Sequence, residues 1–325
     1  MRDNEGREIE YLRILVTDRC NLRCIYCMPE DGVENVCHSS ILTYEEILKI
    51  CKTFAKHGLK KSKITGGEPL VRRGVVELIR ELKQIPGIES VTITTNGVLL
   101  ENYYDDLVEA GVDAITVSLD TLDAETFKAV TRRDEVESVL RGIKKALSGS
   151  VRFKINCVPI ADVNKQGILE LLEFAKKAHA DVRFIEMMPI GLGKEFTWVS
   201  ENEIRGMIEE RYGTMSVYCQ RRGNGPATYY NVPGLDGKVG FISAVSHKFC
   251  DTCNRVRLTS EGFLKTCLQY EHGVDLKVLL RKDVSEDELW KAMEAAIQTK
   301  PRGHHFEDQI EQSKDEHKGM SQIGG

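Results

Sequence analysis

A chain of 325 residues, 41% hydrophobic and 29% charged, is long enough and apolar enough to bury one large α/β core with an appendage. A formal net charge of −5 argues against general nucleic-acid binding and confines any anionic small molecule to a local basic pocket. Met1 to Glu10 alternates charges without an apolar run, and nowhere is there a stretch of about eighteen apolar residues, so secretion and membrane spanning are not expected and the chain reads as cytoplasmic.

Tyr11–Thr17 reads as a buried first strand running into a cysteine-rich loop. Thr43-x-x-Glu46 forms a capping box, after which Ile47, Ile50, Cys51 and Phe54 recur at helical spacing until Gly58 stops the helix. The unit then repeats. Strands are expected at Lys61–Thr65, Ser90–Thr95, Ala114–Leu119, Val151–Val158 and Val182–Met187. Helices are expected near Gly74–Gln84, Asn102–Ala110, between Ala124 and Leu147, and near Gln166–Ala178. Such alternation implies parallel strands with helices outside, and its regularity favours a partial (β/α)6 TIM-type barrel over an open doubly wound sheet. No G-x-G-x-x-G follows any strand.

Beyond about residue 190 the alternation stops, which divides the chain into a barrel, 1–190, and a C-terminal α+β region, 191–325. Ser200-x-x-Glu203 starts one more helix, Gly- and Pro-rich segments follow to Ser246, Arg255–Leu258 and Phe263–Leu268 read as a hairpin, and Ser285-x-x-Glu288 starts a last helix. The chain ends on Gly324-Gly325.

Chemistry gathers at strand ends, where a barrel keeps its functional groups. Cys20, Cys24 and Cys27 stand at C-x3-C-x2-C spacing after the first strand. Three thiols hold three corners of a cubane iron–sulfur cluster and leave one iron open, whereas a closed zinc site needs a fourth ligand. A second trio, Cys250, Cys253 and Cys267, is also one ligand short; a zinc reading would recruit His247 or His272. Two trios are most simply two clusters. Cys37, Cys51, Cys157 and Cys219 show no ligand spacing and read as packing residues. Arg255-Val256-Arg257 puts two guanidiniums on one face of an extended strand, a geometry suited to phosphates. In Gly66-Gly67-Glu68-Pro69 the glycines would let backbone approach a ligand closely, and Glu68 would accept from its ammonium group.

Taken together, the two trios, the Arg-x-Arg and the Gly-Gly terminus closely resemble the GTP 3',8-cyclase family (molybdenum cofactor biosynthesis protein A) of radical S-adenosylmethionine enzymes, over essentially the whole chain. The resemblance implies a partial six-stranded barrel whose open side is closed by the C-terminal region. It implies two [4Fe-4S] clusters and S-adenosylmethionine as cofactors, GTP as substrate and a homodimer. It also implies a separate electron donor and a downstream cyclic pyranopterin monophosphate synthase that uses the product. The reaction would be abstraction of the ribose 3' hydrogen by a 5'-deoxyadenosyl radical, then bonding of C3' to C8. By the same resemblance Cys20, Cys24 and Cys27 would hold the first cluster, and Tyr26, Gly67, Ser118 and Met188 would contact adenosylmethionine. Cys250, Cys253 and Cys267 would hold the second, whose open iron binds guanine. Arg13, Lys63, Thr94, Lys154, Arg255 and Arg257 would contact GTP, with Asn156, Arg255 and Arg257 as active-site residues. Lys63 stands where the family commonly has arginine, so a bidentate fork is lost there; Leu15, where serine is common, reads as neutral. Two rivals stay open: a radical enzyme that modifies peptides with an auxiliary cluster, and a non-catalytic cluster carrier or zinc-stabilised nucleotide-binding module.

Overall fold

The computed structural model describes residues 1–34, 36–220, 222–306 and 315–324; Gly325, half of the terminal Gly-Gly pair, lies outside them. The six expected strands form as β1 (Tyr11–Leu15), β2 (Lys61–Thr65), β3 (Ser90–Thr95), β4 (Ala114–Ser118), β5 (Arg152–Cys157) and β6 (Asp181–Ile185). They pair in parallel and in chain order. The intervening helices are α1 (Tyr44–Ala55), α2 (Val75–Lys83), α3 (Leu100–Glu109), α4 (Ala124–Thr131), α5 (Val136–Leu147) and α6 (Ile168–Lys177). In α1 the capping box is complete, with Thr43 Oγ1 accepting from Glu46 N at 3.2 Å and Glu46 Oε2 accepting from Thr43 N at 2.8 Å. Ile47, Ile50, Cys51 and Phe54 then turn one buried face onto the sheet.

After the barrel come α7 (Glu201–Tyr212), β7 (Ser216–Tyr218), β8 (Thr228–Asn231), β9 (Val239–Ile242), β10 (Arg255–Leu258), β11 (Phe263–Lys265) and β12 (Gly273–Asp275). α8 (Leu276–Arg281), α9 (Glu286–Gln298) and α10 (Met320–Ile323) complete the chain. The hairpin expected after Cys253 is β10–β11. Pattern does not reveal β12, α8 or α10: each is six residues or fewer, too short for a period to register.

The C-terminal region builds on both edges of the six-stranded core at once. β10 pairs in parallel with β1, and β9 in parallel with β6, so eight parallel strands stand side by side in a twelve-stranded sheet, β12-β11-β10-β1-β2-β3-β4-β5-β6-β9-β8-β7. Register then sets the interior. Arg257 lies opposite Arg13, Arg13 opposite Lys63, Thr116 opposite Lys154 and Asn156 opposite Arg183. The arginines of the second-trio strand thereby continue a polar row begun on β1 and β2.

Candidate active site at the carboxyl ends of the strands

The first trio occupies the turn after β1, with Cys27 N and Met28 N both bonded to Cys24 O, at 2.9 and 3.2 Å. The Gly-Gly segment after β2 packs directly on this turn: Gly67 N donates to Thr17 O at 2.7 Å and Glu68 N to Arg19 O at 2.8 Å. A Cβ on Gly66 would fall 2.4 Å from Thr17 O, and one on Gly67 2.4 Å from Arg19 O. The glycines are therefore required first by the cysteine loop, whatever ligand also approaches them. Glu68 belongs to the same junction. Its side chain is fully buried and does not line the cavity; its carboxylate accepts from Leu70 N (3.0 Å), Thr95 Oγ1 (2.8 Å) and Asn96 N (2.6 Å). It braces the β2 and β3 loops. Burial pushes its carboxyl up to about 7, against those three donors.

Burial likewise pushes the Cys20 thiol up to about 11, Cys27 to about 12 and Cys24 well above its usual range. Cys20 Sγ accepts from Leu22 N at 3.4 Å and from Asn96 Nδ2 at 3.6 Å. Tyr26 Oη donates to Asp120 Oδ2 at 2.6 Å, while Val158 N donates to Oδ1 at 2.8 Å. The aromatic residue before the last cysteine thus ties the first trio to the end of β4.

Cys250 and Cys253 lie in the turn that leads into β10, and Cys267 lies just past β11. Arg7 reaches this turn from the N-terminus. Its guanidinium donates to Cys250 O (3.1 Å), Lys300 O (3.1 Å), Pro301 O (2.9 Å) and Arg302 O (2.9 Å), and pairs with buried Asp3 at 2.7 Å. Burial alone would raise the Cys253 thiol, but Lys300, Arg255 with its backbone N–H, and Arg7 overcome that and bring it down to about 7. His247 faces Ser246 and Glu201, and His272 bonds Thr266 and Thr299, so neither histidine is directed at the trio as a zinc ligand would be. Among the described residues no three His, Cys, Asp or Glu side chains gather round one point as a mononuclear site requires.

All six cysteines line one cavity of about 280 Å³. Tyr26, Gly67, Thr94, Ser118, Asn156 and Met188 line it too, together with Arg13, Arg255 and Arg257. Arg13, Thr94, Asn156 and Arg255 also border a smaller basic space of about 90 Å³ between the strands, and Lys63 and Lys154 lie there and not in the main cavity. Burial, then Arg183, Arg13, Lys154 and Arg255, holds the Lys63 ammonium well below its ordinary range; its Nζ donates to Thr94 Oγ1 at 3.1 Å. Burial and Arg183 bring Lys154 down to about 7 despite Asp181 at 3.8 Å.

Arg183 escaped the sequence reading. It donates to Asn156 Oδ1 at 2.9 Å and to Thr116 Oγ1 at 3.4 Å, completing the basic row. Alternation along β6 could have placed it on the same inward face as Lys154 and Asn156 of β5. The C-terminal segment also enters: Met320 and Ser321 line the cavity, and Arg257 donates to Gly324 O. Gly324 has φ +82°, and a Cβ there would lie 2.4 Å from Leu15 Cδ1. Leu15 is therefore the seat of the tail and not a neutral position.

Residues 14–175 match the radical SAM superfamily model, and residues 180–306 match the Molybdenum Cofactor Synthesis C model. A protein of Clostridium perfringens (strain SM101 / Type A) named GTP 3',8-cyclase is 44% identical across the full length of both chains. One of Petrotoga mobilis with the same name is 46% identical, again across both full lengths. The chain belongs to the GTP 3',8-cyclase family. Among solved structures, Streptococcus suis SuiB bound to S-adenosylmethionine is similar in fold, with a TM-score of 0.63 at 16% identity over 90% of this chain and 68% of that one.

Proposed function

We propose that this chain is a radical S-adenosylmethionine enzyme that converts GTP to 3',8-cyclo-7,8-dihydro-GTP, the first step of molybdenum cofactor biosynthesis. The observation that carries the reading is that both cysteine trios line one cavity with Arg13, Arg255 and Arg257, and that Arg13 and Arg255 also border the basic space that holds Lys63, Lys154 and Arg183. Three thiols per trio match a cubane with one open iron; Arg7 fastens the Cys250 carbonyl, Lys300 acts on the Cys253 thiol, and neither His247 nor His272 is directed at the trio. When bound, the two [4Fe-4S] clusters and adenosylmethionine supply the reductive cleavage and the hydrogen abstraction from the ribose of GTP.

The chain's own residues do the positioning. Cys20, Cys24 and Cys27 hold one cluster, with Leu22 N and Asn96 bonded to the Cys20 sulfur. Gly67, Ser118, Tyr26 and Met188 enclose the cofactor beside it. Cys250, Cys253 and Cys267 hold the other cluster near the guanine. Arg13, Lys63, Thr94, Lys154, Arg183 and Arg255 take the triphosphate into the basic space, where cations buried together await an anion. Asn156, oriented by Arg183, and Arg257, bonded to the tail, face the reacting ribose. The five cations in that row suit a polyanion and not the neutral backbone of a peptide substrate. A one-electron donor, a downstream cyclic pyranopterin monophosphate synthase, a homodimer and a cytoplasmic setting belong to the same proposal; among the described residues no helix is long and apolar enough to cross a membrane.

Anaerobic reconstitution, iron and sulfide counting, and mass spectrometry of the products from adenosylmethionine, reductant and GTP test the reading. Iron for two clusters and a cyclised GTP isomer are expected. One cluster, zinc alone, or 5'-deoxyadenosine without cyclised product would overturn it.

A further inference from the structure

We propose that residues 222–226, between β7 and β8, form the floor of the triphosphate site, where Thr92 and the segment's own N–H groups receive the terminal phosphate and so select for phosphate-chain length. The inference rests on the GTP reading above and deepens it. In the sheet β8 is separated from β3 by β4, β5, β6 and β9. The segment entering β8 nevertheless reaches β3, where Asn224 Nδ2 donates to Ser90 Oγ at 3.2 Å. On the way Arg222 O accepts from Lys154 Nζ of β5 at 2.7 Å. Gly223 has φ +105°, and a Cβ there would lie 3.2 Å from the same Nζ. Ser90 is the first residue of β3, so the segment crosses the amino ends of the strands, opposite the end that carries the cysteine trios.

Gly223, Asn224, Gly225 and Pro226 border the basic space from below, and among the described residues no acidic side chain lines it. Asp181, 3.8 Å from Lys154 Nζ, is itself met by Arg222 at 2.6 Å and by Lys238 N at 2.9 Å. Thr92 lies opposite Lys63 in register, lines the space and is 6% exposed, and its Oγ1 meets no partner in the protein. The N–H groups of Gly223, Asn224 and Gly225 meet no acceptor among the described residues. A buried polar group left unmet costs free energy that a bound partner recovers, and successive backbone N–H groups favour an anion. Arg13, Thr94, Asn156 and Arg255 border both the main cavity and the basic space. A nucleotide whose base and ribose lie in the main cavity therefore sends its phosphates toward the floor in order. The strand cations act along the whole chain of phosphates, whereas the floor is reached by the third. A diphosphate ends short of it. Thr92 is then a specificity-determining residue, and Asn224 positions the floor through Ser90.

The test is Thr92→Val and Asn224→Ala in the reconstituted holoenzyme, each titrated with GTP and with GDP. Valine keeps the shape of threonine and removes the hydroxyl; alanine at 224 releases the floor from β3. Iron content and adenosylmethionine affinity should stay unchanged. GTP affinity should fall roughly 10-fold, while GDP affinity changes by less than about twofold. Thr92→Ser, which keeps the hydroxyl, should retain the preference for GTP. A loss equal for the two nucleotides, or no loss, in either variant overturns the proposal. Should Thr92→Val not retain both clusters, Asn224→Ala decides by the same comparison, since its segment lies away from both trios. An unsubstituted holoenzyme that binds GDP as tightly as GTP also overturns the proposal. One that binds neither nucleotide sinks the functional reading itself, before the floor is at issue.

Discussion

The two cysteine trios face one cavity and are built in opposite ways. The first sits on one short turn after β1, braced by loops from the adjoining strands β2 and β3, and burial keeps its thiols protonated far above neutrality. The second is assembled from the turn before β10, the far end of a hairpin, the N-terminus through Arg7 and the segment after α9 through Lys300. Its surroundings are cationic enough to draw one thiol down to about 7. One end of the cavity is local; the other is long-range and, around Cys253, positive.

The sharpest way to break that division is to remove one thiol from each trio. In C24A, formation of 5'-deoxyadenosine should fall to background. In C250A it should persist without GTP conversion, as read by product mass spectrometry; loss of both activities in a folded C250A protein that keeps the first cluster would merge the two roles. Next in size is Arg7→Ala, which strands the buried Asp3 carboxylate and four backbone carbonyls. A cost of about 3–5 kcal/mol is expected in urea denaturation, with selective loss of the second cluster's iron. Arg7→Lys should recover less than half, because one ammonium cannot serve four carbonyls spread round a planar fork.

The same contrast explains what could be read from the sequence. The first trio, the capping boxes and the six β/α units are local patterns, and each formed where spacing placed it. What escaped was long-range. Nothing near Arg7 announces that it holds Cys250, since the contact spans 243 residues of sequence. β9 and β10 look like ordinary short strands until their parallel pairing with β6 and β1 extends the core on both edges. The bracing by Glu68 was hidden because two of its donors, Thr95 and Asn96, come from the end of the next strand. Leu15 looked neutral because its neighbour, Gly324, lies at the other end of the chain.

A smaller effect probes the basic space between the strands through protons. Burial and Arg183 bring Lys154, ordinarily near 10.5, to about 7, so at pH 8 it is mostly neutral in the free protein. A triphosphate beside it favours the charged form and raises its pKa, so binding takes up a proton. Calorimetry in buffers of different ionisation enthalpy should show uptake approaching about one proton at pH 8 and little near pH 6, where Lys154 is already charged. Lys154→Met should abolish most of the uptake; uptake that survives assigns it to Lys63, held low by the same neighbours.

The mildest test compares the trios directly in cluster-free protein. Thiolate is the reactive form, and near pH 7 Cys253 is about half ionised while the first-trio thiols are not. Iodoacetamide should therefore label Cys253 first, at a rate rising roughly tenfold from pH 6 to pH 8. Lys300→Gln should move that profile to higher pH, because Lys300 is the strongest of the groups that lower this thiol. Equal labelling of both trios, with a midpoint at the ordinary thiol value, would mean that the positive field at the second trio does not reach its sulfur atoms. The distinction between the two ends would then be one of construction and not of charge.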